Sequence, residues 1–226
     1  MQVVILAAGK GTRLMPLTLK TPKPLVLLNN KPILEHTLDE LPKEVDEVVL
    51  VIGYLGYQIK KYFGNNFLGR KIRYVVQKEQ RGTFHALKQA QKYLKHEFLS
   101  LMADDVYSKK DLVNLIKNKQ AVLVREVKGP SEKFGVCLIR GSYLIDIREK
   151  EADLKFKFAN CGAYKLGTDI FKEPIIYGPS GEEWLSSMVG SLAKKNKVKV
   201  VKATRWFPIA TVEDLKNVET YLIKDF

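Results

Sequence analysis

The sequence is short of several things that would point elsewhere. It has two cysteines, Cys137 and Cys161, and three histidines, His36, His85 and His96. Neither set falls in a metal-binding spacing, and the cysteines form no disulfide framework; they read as small apolar core residues. No apolar run approaches the roughly 20 residues needed to cross a bilayer, so no membrane partner is expected. Met1 to Ala8 carries no basic leader segment and runs straight into a glycine loop. That reads as a first buried strand rather than a signal peptide, and gives a cytoplasmic expectation. Acids are scarce: 38 Lys and Arg face 25 Asp and Glu, a net charge of +13. The basic residues are scattered, and their densest run, Lys194 to Lys202, reads as a solvated helix end passing into an alternating strand. No finger, homeodomain or RNA-recognition pattern is present, so nucleic acid is not the expected partner. Anionic small substrates, or a lysine-rich surface, account for the charge equally well.

What is there is an alternating pattern. With 226 residues and 46% hydrophobic content, the chain suits one sizeable α/β domain, taken as residues 1–226. Strands are expected at Gln2–Ala7, Asp46–Ile52, Lys71–Gln77 and Glu97–Ala103. Helices are expected at Pro32–Leu41, Gly56–Phe63, Thr83–Leu94 and Lys110–Asn118. Strands separated by helices in this way argue for right-handed βαβ units and a mostly parallel sheet. Short strands follow at 120–127, 134–140, 142–149 and 160–166, then a helix over Gly181–Lys195 and a strand over Val198–Ala203. Thr211 opens a last helix, with Thr211 and Asp214 in the form of a capping box. The fold class expected is α/β: a Rossmann-like, mostly parallel mixed sheet flanked by helices, with a small β-rich insertion.

The most informative stretch is "LAAGKGTRLMPLTLKTPKPL", residues 6 to 25. Glycines after an apolar run suggest phosphate. However, a Walker loop needs a Gly-Lys-Ser/Thr ending, and the dinucleotide fingerprint wants a glycine where Leu14 sits. Ligands of open parallel sheets bind at the carboxyl ends of the strands. Four such ends carry suggestive residues: the glycine loop, Gly53-Tyr54, Gln77 and Asp104-Asp105.

At these residues the chain resembles the sugar-1-phosphate nucleotidyltransferases, the nucleotide-sugar pyrophosphorylases. The stretch above resembles their signature, and "VIGYLGYQIKKYFG", "QKEQRGTFHAL", "ADDVY", "KFGVCLI", "REK", "NCGAY" and "WFPIATVEDL" follow in the family's order. The resemblance implies a Rossmann-like domain in which a nucleoside triphosphate and a sugar 1-phosphate give a nucleotide sugar and pyrophosphate, with Mg²⁺. It implies that Leu6, Ala7, Ala8, Gly9, Gly11, Thr12, Arg13, Gln77, Gly82 and Thr83 bind the nucleotide. Arg13 would hold the departing phosphates, since a guanidinium makes paired contacts to oxygen. Lys23, between Pro22 and Pro24, would serve the reacting phosphates. Gln77 resembles the residue whose amide reads the base, which tilts the expectation towards uracil or thymine. Asp104 aligns with the metal-binding aspartate, and a hard carboxylate beside phosphate oxygens suits Mg²⁺. Gly135, Glu149, Lys150, Asn160 and Gly162 fall where the family holds its sugar phosphate, with Glu182 a weaker candidate.

Asp105 is expected behind Asp104 or at the surface, and His85 on a helix surface. Two departures stand out. Phe84 replaces a small residue, and Pro208 replaces a second metal-binding aspartate. The second leaves open a nucleotide-binding regulatory subunit, and because only Glu149, Lys150 and Asn160 speak for a sugar, phosphocholine or another phosphomonoester stays open as acceptor. A homo-oligomer also stays open. Without a hexapeptide repeat before Phe226, no second, acyl-transfer activity is expected.

Overall fold

The structure is a computed structural model and describes residues 1–127, 134–149 and 158–224. In chain order its strands are β1 (Gln2–Ala7), β2 (Leu27–Leu28), β3 (Lys31–Pro32), β4 (Glu47–Ile52), β5 (Asn66–Phe67), β6 (Arg70–Val76), β7 (Glu97–Met102) and β8 (Asp105–Tyr107). They continue as β9 (Ala121–Glu126), β10 (Gly135–Arg140), β11 (Tyr143–Glu149), β12 (Phe158–Gly167), β13 (Lys199–Lys202) and β14 (Trp206–Pro208). The helices are α1 (Ile33–Asp39), α2 (Gly56–Phe63), α3 (Thr83–Ala90), α4 (Lys109–Ile116), α5 (Leu185–Lys195) and α6 (Val212–Lys224).

All six residues of β1 are buried. A strand without polar alternation must be covered on both faces, the situation of a central strand in a parallel sheet. It pairs parallel with β4 on one side and β7 on the other, and β4 pairs parallel with β6. The order across the ten-stranded sheet is β10-β11-β13-β9-β12-β7-β1-β4-β6-β5. Beyond β7 the sheet becomes mixed: β12 runs antiparallel to both β7 and β9, while β13 is parallel to β9. The middle strands thus join the main sheet at its β7 edge.

Two apolar layers sandwich the sheet. One gathers Leu34, Leu38, Ile59, Phe63, Leu112 and Leu115 from α1, α2 and α4. The other gathers Phe84, Leu87, Leu185, Met188 and Leu192 from α3 and α5. A third cluster joins Leu14 of the glycine loop to Val106, Ile209, Leu215 and Val218. It ties the first loop of the chain to α6 near its end. No helix among the described residues is long and apolar enough to cross a membrane.

Some boundaries differ from expectation. The helix expected from Gly181 starts at Leu185, because residues 177–183 fold back through a Tyr177–Glu183 bridge with Gly181 at φ +78°. The helix from Thr83 gives way at Gln91 to a tighter turn over Gln91–Tyr93. The capping box forms as expected: Asp214 N donates to Thr211 Oγ1 (3.2 Å) and Thr211 N to Asp214 Oδ2 (2.8 Å). Strands β8 and β14 were not anticipated. They pair antiparallel with Pro208 opposite Asp105, and they lie beside the candidate site.

Candidate active site

Register brings the strand ends together. Ala7 lies beside Ile52, Ile52 beside Val76, and Leu6 beside Met102. The loops after β1, β4, β6 and β7 therefore leave the sheet along one edge, and the bonding continues past the strands. Tyr54 N donates to Ala8 O (3.3 Å), Gln77 N to Ile52 O (2.8 Å) and Ala103 N to Leu6 O (3.2 Å).

The glycine loop is held from below. Thr18 Oγ1 donates to Gly11 O (2.8 Å), and buried Leu14 anchors the following turn. Gly11 has φ +64°, and a β-carbon there would lie 3.0 Å from that of Lys23, so both the conformation and the packing call for glycine. Pro22 and Pro24 frame a tight turn, Lys23–Leu25, closed by a 2.8 Å bond from Leu25 N to Pro22 O. The Lys23 side chain, 9% exposed, meets the Asp104 carboxylate at 2.5 Å.

Two cavities open on this edge. The first, about 400 Å³, is lined by Leu6, Ala7, Ala8, Gly9, Gly11, Thr12, Arg13, Lys23, Gln77, Gly82, Thr83 and Asp104, with Gln80, Met102, Glu182 and Trp184. The second, about 890 Å³, is lined by Gly135, Glu149, Asn160 and Gly162 together with Tyr164, Ser186, Trp206, Pro208 and Glu213. Arg13, Thr83, Met102, Asp104 and Trp184 line both, so the cavities meet there. Every residue expected to touch nucleotide lies on the first, and four of the five expected on the sugar side lie on the second. Lys150 lies outside the described residues. Glu182 sits on the first cavity, not the second as expected, where its Oε2 accepts from Trp184 Nε1 at 3.2 Å.

The second cavity has structured polar walls. Asn160 Nδ2 donates to Tyr164 OH (2.6 Å), and Asn160 Oδ1 accepts from Gly162 N (3.1 Å). The Glu149 carboxylate lies against the α-carbon of Gly135, where any side chain would collide with it. At the other end Gly82, with φ +104°, packs against the backbone of Glu183 too closely for a β-carbon. Glu183, 1% exposed, is paired with Lys88 (2.5 Å) and Arg81 (3.2 Å), so the turn carrying Glu182 and Trp184 is fastened to the base of α3.

Asp105 is buried behind Asp104, the first of the two places expected for it. Its Oδ2 accepts from Trp206 Nε1 (2.9 Å) and Tyr107 OH (3.3 Å). Burial first, and the neighbouring Asp104 charge second, push its pKa up to about 8. Of this pair of aspartates, Asp104 is the one that lines both cavities. Phe84 does not obstruct the site, since it is buried in the core and stacks on Phe171 at 6.3 Å. His85 is a correction: it is half-buried and lies 3.0 Å from Gln77 Nε2 rather than on an open helix surface. Trp184, Gln80 and Tyr164 were missed. Only their positions beside turns and strand ends could have signalled them, because each type is common in loops and cores.

Asp104 is a hard oxygen donor facing both cavities, with its side chain 38% exposed. No group of three or more His, Cys, Asp or Glu that could hold a metal lies among the described residues. Mg²⁺ beside phosphates needs only one or two protein carboxylates, and Asp104 fits as one such ligand. Pro208 adds none. Asp214 is spent as the α6 cap, accepting from Ala210 N, Thr211 N and Thr211 Oγ1.

Two cavities joined at a charged junction suit group transfer between two anionic ligands, and that is the class the fold and site define. The profile of the family described as nucleotidyl transferase matches residues 2–224. The chain belongs to that family. It is 35% identical over 227 residues to the bifunctional protein GlmU of Methanocaldococcus jannaschii, an alignment covering 99% of this chain and 54% of that protein. It spans about half the length of the GlmU relatives it matches. It is 30% identical to the UTP–glucose-1-phosphate uridylyltransferase AglF of Haloferax volcanii, covering 98% of this chain and 96% of that one. Among solved structures, a UDP-glucose pyrophosphorylase complexed with UDP-glucose superposes with a TM-score of 0.84 at 21% identity, covering 100% of this chain and 99% of the other. That last likeness is one of fold.

Proposed function

We propose that residues 1–226 act as a single catalytic domain that joins a nucleoside triphosphate, UTP or dTTP, to a hexose 1-phosphate, with Mg²⁺ as cofactor. One observation carries this reading. The residues expected to bind nucleotide line one cavity, four of the five expected to bind sugar line another, and the two cavities share Arg13, Thr83 and Asp104. The named activity of AglF, which is covered almost end to end, supports it.

In this reading a phosphate oxygen of the sugar 1-phosphate attacks the α-phosphorus. The bond from that phosphorus to the oxygen bridging to the β-phosphate breaks, and pyrophosphate leaves. Catalysis is then mainly positioning and charge stabilisation. The glycine loop presents backbone N–H groups to the triphosphate, with Arg13 on the departing phosphates. Lys23, fixed by its ion pair and its proline-framed turn, faces the reacting phosphates. Gln77 takes the base, while Asn160 and Glu149 orient the sugar, and Lys150 is assigned its phosphate. Mg²⁺ held by Asp104 and phosphate oxygens would supply charge neutralisation at the triphosphate.

The test is product analysis by ³¹P NMR with UTP or dTTP and a panel of acceptors. A nucleotide sugar from a sugar 1-phosphate is the expected product. Reaction with phosphocholine instead would reassign the acceptor. Pro208 beside Asp104 favours one second reading, a regulatory subunit, and nucleotide bound without any product would support that one.

A further inference from the structure

Gln77, at the end of β6, is 5% exposed. Its Nε2 lies 3.2 Å from the carbonyl oxygen of Gly82 and 3.0 Å from His85 Nδ1. A carbonyl oxygen can only accept, so the nitrogen of the amide must be the atom facing Gly82. The amide's other hydrogen then points at the imidazole, and it is satisfied only if Nδ1 is bare. The amide oxygen has no donor among the described residues and is not enclosed, and Gln77 lines the nucleotide-side cavity.

We propose that His85 is a positioning residue for base selection: by accepting on Nδ1 it locks Gln77 with its oxygen towards the base. The site then takes a nucleobase whose reading edge carries a ring N–H, the imide-type edge of uracil, thymine or guanine. It turns away one with a bare ring nitrogen there, cytosine or adenine, because two lone pairs would face each other. The amino groups of cytosine and adenine also donate, but each sits beside that bare nitrogen, and the base must shift to bring it to a fixed oxygen. This inference rests on the nucleotidyltransferase reading and names the base class of the same site.

The other ring nitrogen decides whether the arrangement is consistent. Gln89 Nε2 lies 3.3 Å from His85 Nε2 and 3.2 Å from the His85 carbonyl oxygen. A neutral imidazole has one donor and one acceptor, so it cannot accept from both glutamines. Gln77 is buried and pinned by Gly82, whereas Gln89 is half-buried and can keep its bond to the His85 carbonyl or swing out to water, leaving Nε2–H to donate to solvent. The tautomer is therefore set by Gln77, with the proton on Nε2.

The test uses the three histidines of this chain. Long-range ¹H–¹⁵N spectra of the labelled protein at about pH 8, where an unperturbed imidazole is neutral, report each tautomer directly. Substitution of each histidine in turn assigns the signals. The expected result is His85 with Nε2 protonated and Nδ1 bare; the opposite tautomer overturns the proposal. This readout needs no turnover, so a protein that releases no pyrophosphate still decides it. Nucleotide affinity gives the second arm. In His85→Phe the preference for UTP over CTP falls by about tenfold or more, the scale of one unmade hydrogen bond. His85→Asn, whose oxygen can accept in place of Nδ1, restores it. An unchanged ratio in His85→Phe that melts like the parent overturns the proposal.

Discussion

Lys23 Nζ and Asp104 Oδ2 meet at 2.5 Å across 81 residues of sequence, where the two cavities join. The lysine is nearly enclosed and the carboxylate is open to the cavities. The pair thus fixes a cation at a water-poor wall and leaves carboxylate oxygen free for a ligand. Removing either group disturbs the other, so the two should act as a unit. Lys23→Ala and Asp104→Ala are each expected to lower kcat by about 100-fold or more, and the double variant to lose far less than the product of the two. Steady-state pyrophosphate release measures this. Independent, multiplicative losses would show that the contact has no catalytic meaning.

Asp105 gives a pH dependence of stability. Its folded pKa is raised from 3.8 to about 8 by burial and by Asp104. The folded state therefore holds this proton more tightly than the unfolded chain. That contribution to stability is whole below the unfolded value, declines as pH rises above about 4, and is gone above about 8. Asp105→Asn keeps an oxygen for Trp206 Nε1 and Tyr107 OH but cannot ionise. Thermal melts in EDTA between about pH 5.5 and about pH 9 should show the parent losing Tm relative to this variant as pH rises. Parallel curves would contradict the assignment of a buried, neutral acid.

Pro208 lies opposite Asp105 in the β8–β14 pair, and the next residue, Ile209, bonds through its N–H to Asp104 O at 3.1 Å. A carboxylate placed there falls beside the proposed metal ligand. Pro208→Asp is expected to lower the Mg²⁺ concentration for half-maximal turnover by about tenfold, the effect of one added hard ligand. It is also expected to lower Tm in EDTA, where two carboxylates repel. Titration of Mg²⁺ against rate checks the first effect, and an unchanged requirement would place residue 208 away from the metal.

The C-terminal helix should report on the glycine loop. Asp214 accepts from Ala210 N, Thr211 N and Thr211 Oγ1, and α6 packs through Leu215 and Val218 on the cluster that contains Leu14. Asp214→Ala is expected to cost about 1–2 kcal/mol in urea unfolding, the scale of a lost helix cap. Loss of less than a few tenths would mean that the cap bonds are not made in solution.

Much of this was legible in the sequence, for definite reasons. "QVVILA" and "EVVLVI" announce central strands because unbroken apolar runs must be covered on both faces. Sequence order then places the loops after them on one edge. Spacing also announces the α6 cap. The short strands β8 and β14 were not legible, because "DVY" and "WFP" are too brief to show a period and exist only by pairing with each other. The late start of α5 escaped as well: helix formers follow Gly181, but the bridge to Tyr177 holds them extended. His85 was misplaced because helical spacing says which face a residue occupies, not that a buried amide from a neighbouring strand reaches it.

The central claim is that the joined cavities bring a nucleoside triphosphate and a sugar 1-phosphate together for transfer. It is tested most directly by pyrophosphate release from the purified protein with Mg²⁺, across ATP, GTP, CTP, UTP and dTTP paired with a panel of sugar 1-phosphates. The account predicts release with UTP or dTTP and a hexose 1-phosphate, none without the acceptor, and a fall of about 100-fold or more in Arg13→Ala. Silence with every pair while nucleotide still binds, or full turnover in Arg13→Ala, would contradict it.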